Sequence, residues 1–167
     1  MTTAPAGRVA ARLAELGLTL PEVAAPVAAY VPAVRSGAHV WTSGQLPFVA
    51  GTLAATGKVG ADVDVETATE LARTAALNAL AAVSALLAAE DGGDPVAALD
   101  RVTRVVKVVG FVASDAAFTA QPAVVNGASH LLHDVLGPVG VHARSAVGVA
   151  VLPLDSPVEV ELVVETA

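Results

Sequence analysis

The chain has 167 residues, carries a formal net charge of -7, and is 54% hydrophobic and 15% charged. This length suits one domain with its own hydrophobic core, and we expect residues 1–167 to form that single domain. The sequence contains no cysteine, which excludes disulfides, thiol nucleophiles and thiolate metal sites, and its acidic charge argues against binding to nucleic acid.

The pattern of hydrophobic residues argues against a membrane-spanning segment. The N-terminus, MTTAPAGRVAARLAELG, lacks the apolar region of a secretory signal. The longest apolar stretch, residues 77–89, is shorter than the roughly 20 residues that cross a bilayer. We therefore expect a cytoplasmic protein with no membrane partner, whose apolar residues build a core and a subunit interface.

The first elements in chain order are a helix and a hairpin. Residues 4–16 predict a short amphipathic helix that ends at Gly17, and a proline-punctuated connector follows to residue 29. The segment AVRSGAHVWTSGQLP then predicts two strands joined by a tight turn at Ser36 and Gly37.

The clearest element is the segment GADVDVETATELARTAALNALAAVSALLAAEDGG, which predicts a long helix. Asp62 or Asp64 can cap its N-terminus, and Asp91, Gly92 and Gly93 end it. Its apolar residues recur at helical spacing and predict one broad buried face. They include Leu71, Ala75, Leu80, Val83 and Leu87.

The second half predicts a strand at 102–112, a second long helix in DAAFTAQPAVVNGASHLLHDVLG, and strands at 142–152 and 158–165 joined by LPLDSP. With the N-terminal helix set aside, the order is ββ-α-β-α-ββ. This order predicts an α+β fold in which two long helices pack on one face of a mixed β-sheet. The other face needs a cover, and a second copy of the chain is the simplest one, so we expect a closed oligomer.

One strand combines an arginine with small residues. Side chains alternate across a strand, so Arg144, Ala146 and Gly148 share one face, while Val147 and Val149 share the other. The valines predict a core, and the arginine on bare backbone predicts a ligand site. The alternative is an ordinary surface arginine paired with an acid.

Three motifs occur together in a familiar order. TSGQLP, VNG and ARSAVGVAVLP followed by VEVE resemble the YjgF/RidA family, also called the L-PSP or reactive-intermediate deaminase family, over roughly residues 30–165. The N-terminal helix and the loop AAEDGGDPVAALD are similar to its longer-chain subgroup. The resemblance implies a chorismate-mutase-like fold and a homotrimer with its sites in clefts between subunits.

The resemblance also implies roles for individual residues. By it, Arg144 holds the substrate carboxylate, Glu159 positions the attacking water, and Ser43 is a second catalytic residue. The remaining substrate-binding residues that it implies are Tyr30, Asn126 and Gly44. Other interpretations stay open: Tyr30 as a packing residue, Ser43 and Gly44 as turn formers, and Asn126 beside Gly127 as a helix irregularity. Two departures stand at Ala146 and Gly148, where many catalytic members carry a cysteine and an acid.

The function that the resemblance implies is hydrolysis of small 2-imino or enamine acids to 2-keto acids and ammonia, without a cofactor. The alternative is a non-catalytic oligomer that binds small carboxylate metabolites. Ribonuclease activity, which the family's name sometimes carries, conflicts with the acidic charge. His130 and His133 lie three apart on a predicted helix, but no third ligand stands near them in the sequence, so we expect no metal site.

A last expectation concerns the distance between Arg144 and Glu159. If residues 142–152 and 158–165 form a hairpin, Ala150 lies opposite about Glu159, and Arg144 lies some six residues further along, or roughly 20 Å. The two side chains would then share a site only when they come from different subunits.

Overall fold

The computed structural model describes residues 7–23 and 29–167. Its helices and strands follow the predicted order, with a two-stranded ribbon and a short helix added. They are α1 (Arg8–Glu15), β1 (Ala33–Ser36), β2 (His39–Thr42), β3 (Phe48–Val49), β4 (Thr52–Leu53), α2 (Val65–Asp91), α3 (Pro95–Ala98), β5 (Val102–Ala113), α4 (Gln121–Leu136), β6 (Ala143–Val149) and β7 (Val158–Thr166).

The main sheet has five strands in the order β1-β2-β7-β5-β6. β5 and β6 are parallel, because the chain crosses from one to the other through α4, and the other pairs are antiparallel. α2 and α4 pack against each other and against this sheet. The predicted α+β fold, a mixed sheet with two long helices and an extra N-terminal helix, is confirmed.

The predicted hairpin of the last two strands is wrong. β5 lies between β6 and β7, so Phe111 pairs with Val147 on one side and with Glu159 on the other. The connection, residues 150–157 with LPLDSP at its end, instead carries the chain from the edge of the sheet across β5. Glu159 therefore lies level with Val147 rather than with Ala150.

The predicted helix boundaries have clear local causes. The Asp64 side chain accepts a hydrogen bond from the Thr67 backbone N–H at 2.7 Å, and Gly92 ends α2 in the left-handed conformation at φ 64°.

The N-terminal helix α1 packs at the end of α4, where Arg8 and Arg12 donate to backbone carbonyls in the last turn of α4. Those carbonyls lack partners inside their own helix, so α1 caps α4.

α2 is the central core helix. Its predicted apolar face is buried from Leu71 to Leu87. By length and composition alone the helix is also able to cross a membrane, with a mean hydropathy of 1.6 over 18 residues. Two-thirds of that window is buried inside the protein, as in the core helix of a folded domain.

The two faces of the sheet differ in what covers them. The helix face, which α2 and α4 cover, includes Val108 and Gly110 of β5, and a Cβ at Gly110 would overlap Val125 of α4. We call the other side the open face. Its side chains include Val34, Trp41, Lys107, Val109, Phe111, Ser145, Val147, Val149, Glu159, Glu161 and Val163.

The predicted core role of the β6 valines is wrong in the single chain. Val147 lies on the open face and is 44% exposed, whereas Ala146 packs against the core beneath α4. The helix approaches this end of the sheet closely, as the contact of Gly110 with Val125 shows. Small side chains on β6 fit the narrow space beneath α4, whereas valine side chains are too large for it.

Candidate functional site

Arg144 sits on the edge strand β6 and points to α4. Its Nη1 donates to Asn126 Oδ1 at 2.8 Å and to Ser129 Oγ at 3.1 Å, and its Nη2 donates to the Pro122 carbonyl at 3.3 Å. The structure therefore brings together Arg144 and Asn126, two residues that the family motifs associate with substrate binding.

The guanidinium keeps unused donors. An arginine has five N–H groups, and these three hydrogen bonds leave Nε–H and one Nη2–H. Within residues 7–23 and 29–167, no carboxylate forms an ion pair with Arg144. Among the described residues, Arg144 is therefore not a surface arginine paired with an acid. One edge of its guanidinium can receive an anion.

Two residues of this cluster were missed from the sequence. Ser129 Oγ contacts both Arg144 Nη1 and His142 Nε2, the latter at 2.9 Å, and His142 Nδ1 lies 2.6 Å from the Gly140 carbonyl. The signal was present, because His142 precedes Arg144 by two positions in the predicted strand 142–152 and Ser129 follows Asn126 by three in the predicted second helix.

A second cluster forms around Glu159 on β7. Gln45 pairs with Val160 through two backbone hydrogen bonds, which set the Ser43–Gln45 segment beside Glu159. A Cβ at Gly44 would overlap the Glu159 carboxylate. Gly44 therefore does more than form a turn, since its missing side chain makes the space that Glu159 occupies.

Ser43 and Tyr30 lie next to this second cluster. The Ser43 hydroxyl donates to the Val31 carbonyl at 2.7 Å, and its backbone N–H donates to the Pro32 carbonyl at 2.9 Å. Those bonds close the base of the β1–β2 hairpin, so in the single chain the Ser43 hydroxyl has a structural partner. Tyr30 precedes Val31 and is 46% exposed, free of the tight packing expected of a core residue.

The electrostatics of the second cluster favour a proton-carrying carboxyl group. Burial raises the pKa of Glu159 above its ordinary value, and the negative charge of Glu161 raises this pKa further. Burial also raises the pKa of Glu161. Both side chains lie on the open face two residues apart, which places the negative charge of Glu161 near the Glu159 carboxyl group.

The two clusters do not meet within one chain. Arg144 faces α4, whereas Glu159 lies on the open face, and their strands are separated by β5. Three residues along the strands and two strand spacings across give a Cα separation of about 14 Å. The expected separation of roughly 20 Å followed from the wrong hairpin.

Gly148, one of the two departures from the family motifs, lies beside a polar side chain of α4. The space beside Gly148 is taken by the Gln121 amide, whose nitrogen lies 2.7 Å from where a Cβ would stand. Gln121 and Gly148 also line a cavity of about 560 Å³ at the carboxyl ends of β5 and β6, together with Lys58 and Ser114.

His130 and His133 are exposed on α4. In the described part of the chain, no three histidine, aspartate or glutamate side chains come close enough together to hold a metal ion.

Comparison with known proteins agrees with the fold and the motifs. A family model described as "YjgF/chorismate mutase-like, putative endoribonuclease" matches residues 10–166. The chain belongs to the YjgF family. The family and fold that the sequence motifs predicted are therefore confirmed.

Relatives of this YjgF-family chain include well-matched sequences and structures. Protein TCP17 of Trypanosoma cruzi is 46% identical over 168 residues, which cover 99% of this chain and 98% of TCP17. The crystal structure of Atu1372, a protein with unknown function from Agrobacterium tumefaciens, is 44% identical to this chain with a TM-score of 0.82, and the match covers 96% of this chain and 93% of Atu1372. E. coli TdcF with bound serine is 26% identical, with a TM-score of 0.58 and coverages of 89% and 96%.

Proposed function

We propose that this YjgF-family chain hydrolyses small 2-imino or enamine acids to 2-keto acids and ammonia, in the cytoplasm and without a cofactor. The observation that carries the proposal is Arg144, whose guanidinium is fixed by α4 and keeps two N–H donors free. A planar guanidinium matches a carboxylate, and every 2-imino and 2-keto acid carries one.

The second cluster supplies the acid-base group. Water adds to the electrophilic imine carbon, and the Glu159 carboxylate accepts the proton that the water loses. The imine reacts in its protonated form, so this addition gives a neutral carbinolamine, and Glu159 then returns its proton to the amino nitrogen. As the C–N bond breaks and ammonia leaves, the carbinolamine hydroxyl forms the C=O bond and gives its proton to the Glu159 carboxylate. The raised pKa of Glu159 brings this group closer to neutral pH, where one carboxyl can both accept and return a proton. No thiol is needed, so Ala146 is compatible with the reaction.

We further propose that the active unit is a homotrimer with its sites between subunits. Arg144 on the edge strand and Glu159 on the open face can act on one small molecule only when they come from different copies. The open face supports this assembly, because Val34 and Trp41 are about half exposed in the single chain. A neighbouring copy would cover those side chains and remove their apolar surface from water.

One comparison agrees with the size and charge of the proposed ligand. TdcF is described with bound serine, a small molecule that carries a carboxylate. A 2-imino acid derived from a small amino acid has the same carboxylate and a similar volume. This supports a ligand of a few carbon atoms, held by Arg144.

The test is keto-acid release from an imino acid that an amino-acid oxidase generates in situ. The native protein is compared with Arg144→Ala and, as the matched control, with Arg104→Ala. Arg104 is an exposed β5 arginine with no ion pair to any described residue. We expect acceleration by the native protein and the control, and none by Arg144→Ala.

Two other results would replace the proposal. Binding of pyruvate that needs Arg144, without acceleration of hydrolysis, would show a non-catalytic carboxylate binder. Cleavage of RNA by the native protein that survives Arg144→Ala would move the function away from this site and towards the endoribonuclease named in the family description.

A further inference from the structure

Arg144 is the end of a chain of hydrogen bonds that runs through Ser129 and His142 to the backbone of Gly140. The Gly140 carbonyl can only accept, so the proton of the neutral imidazole sits on Nδ1. Nε2 then accepts from the Ser129 hydroxyl, and the Ser129 oxygen accepts from Arg144 Nη1. Every link has a defined donor, and the chain is anchored on main-chain atoms.

We propose that His142 and Ser129 are positioning residues for Arg144, and that carboxylate binding at Arg144 is coupled to the protonation of His142. The first part follows from the geometry. A free arginine side chain loses about 2 kcal/mol of rotamer entropy when it is ordered. Holding Nη1 between Asn126 and Ser129 orders the guanidinium before the ligand arrives, which improves affinity.

The second part follows from the charges near His142. Burial lowers the pKa of His142, the hydrogen bond to the Gly140 carbonyl opposes this, and the positive charge of Arg144 lowers the pKa further. A carboxylate bound to Arg144 offsets that positive charge. His142 then gains a proton more readily, and by reciprocity the protonated form binds the carboxylate more tightly.

The hydrogen-bond chain survives this protonation. A charged His142 donates through Nε2 to Ser129 Oγ, which has two lone pairs and still accepts from Arg144.

Other ionisable groups on the neighbouring elements are occupied elsewhere or exposed. On α4, Asp134 pairs with Arg73, and the histidines at 130 and 133 are exposed. On β5, Lys107 donates to Ser145 on the open face, and Arg104 is exposed. Arg144 is therefore the charge to which His142 responds.

The first experiment needs no ligand. The imidazole of His142 is titrated by NMR in the native protein, in Arg144→Ala and in the control His133→Gln, whose side chain is exposed on α4. We expect the pKa of His142 to rise in Arg144→Ala and to stay unchanged in the control. An unchanged pKa of His142 in Arg144→Ala would overturn the coupling.

The second experiment uses pyruvate as the probe and rests on the proposed function. We expect pyruvate to bind the native protein about three- to tenfold more tightly as pH falls through the pKa of His142. Ser129→Ala should weaken binding about three- to tenfold at every pH, since Nη1 loses one of its two acceptors. In His142→Gln the amide oxygen can still accept from Ser129, so this variant should bind pyruvate more tightly than His142→Ala and nearly as tightly as the native protein. Because the imidazole is absent, its pyruvate affinity should no longer change as pH falls through the pKa of His142.

The outcomes separate the two proposals. Equal pyruvate affinity in Ser129→Ala and the native protein would overturn the positioning role while leaving the proposed function intact. If NMR shows that Arg144 affects the pKa of His142 but pyruvate does not bind, the proposed function and the coupling of carboxylate binding to His142 protonation are both overturned. That result would support only the hydrogen-bond chain from Arg144 to His142.

Discussion

Arg144 and Glu159 lie on opposite faces of one sheet, with β5 between their strands and about 14 Å between their Cα atoms. Arg144 shares its cluster with Asn126, and Glu159 shares its cluster with Gly44. Each chain therefore carries two separate half-sites. A catalytic function that uses both requires the halves of different chains.

Mixing two inactive variants tests this requirement. Arg144→Ala and Glu159→Gln should each be inactive alone, because each removes one half-site. After unfolding and refolding of an equal mixture, random trimers should recover about a quarter of the native rate, since a complete site needs one intact half from each of two neighbours. Keto-acid release measures the rate, and light scattering should give a mass of about three times the 16.5 kDa chain.

Each variant refolded alone is the control for that mixture. No recovery on mixing, from particles shown to be trimeric, would contradict a site shared between subunits. A monomer with full activity would contradict the trimer as well.

Gly44→Ala should damage the second cluster without straining the backbone. The new methyl group would overlap the Glu159 carboxylate, and we expect a stability loss of about 1–3 kcal/mol and a fall in turnover of about 10- to 100-fold as the carboxylate is displaced. Chemical denaturation and the imino-acid assay measure the two effects.

Gly93→Ala is the matched control, because a Cβ at Gly93 meets no atom within 4 Å. Equal behaviour of the two alanine variants would show that Gly44 does not make room for Glu159.

Glu161→Gln should shift the pH dependence of kcat/KM for imino-acid hydrolysis. Activity that depends on ionised Glu159 falls as pH drops through its raised pKa. Burial, the larger cause of that rise, remains in the variant, but the negative charge of Glu161 is gone. We expect the acidic limb of kcat/KM to move to lower pH by less than about one unit.

The same substitution has a consequence for stability. A carboxyl whose pKa is raised by folding contributes stability below its unfolded pKa, near 4.5, and loses that contribution as pH rises through the folded pKa. Glu161→Gln should therefore raise the melting temperature at pH 7 and not at pH 4. A limb that moves to higher pH would show that Glu161 does not raise the pKa of Glu159. A variant less stable at pH 7 would show that burial does not disfavour the ionised form of Glu161.

Gly127→Ala should destabilise the fold even though alanine is the better helix former. A Cβ at Gly127 would overlap the Thr69 carbonyl of α2, so the two helices must separate, at a cost of about 1–3 kcal/mol against a gain of about 1 kcal/mol in helix propensity. Urea denaturation measures the difference. Ala123→Gly at an exposed position of α4 isolates the propensity term, and a more stable Gly127→Ala would refute the close approach.

Local patterns predicted the helices and strands well, because capping residues and periodicity act over a few positions. Asp64 and Gly92 set the ends of α2 through their own hydrogen bond and backbone angle. The pairing of strands was harder to predict. LPLDSP has the same length whether it forms a hairpin or crosses a neighbouring strand, and the choice depends on where α4 places β6.

The prediction of which β6 side chains face the core was wrong for a related reason. Alternation shows that Val147 and Ala146 lie on different faces, but it does not show which face meets the helices. Close packing of α4 decides this, and it depends on Gly110 and Gly127, whose contacts lie far away in the sequence. The site residues came from the family motifs, and their division into two clusters needed the three-dimensional arrangement.

The two half-sites also differ in how their chain segments come together. Arg144 meets its partners 15 to 22 residues away, all within the β5-α4-β6 crossover, whereas the partners in the second cluster are more than a hundred residues apart. Short-range contacts close small loops and form quickly, and long-range ones wait for distant strands to find each other. The Arg144 cluster thus belongs to a local folding unit, and the Glu159 cluster is completed only when the last strand joins the first hairpin.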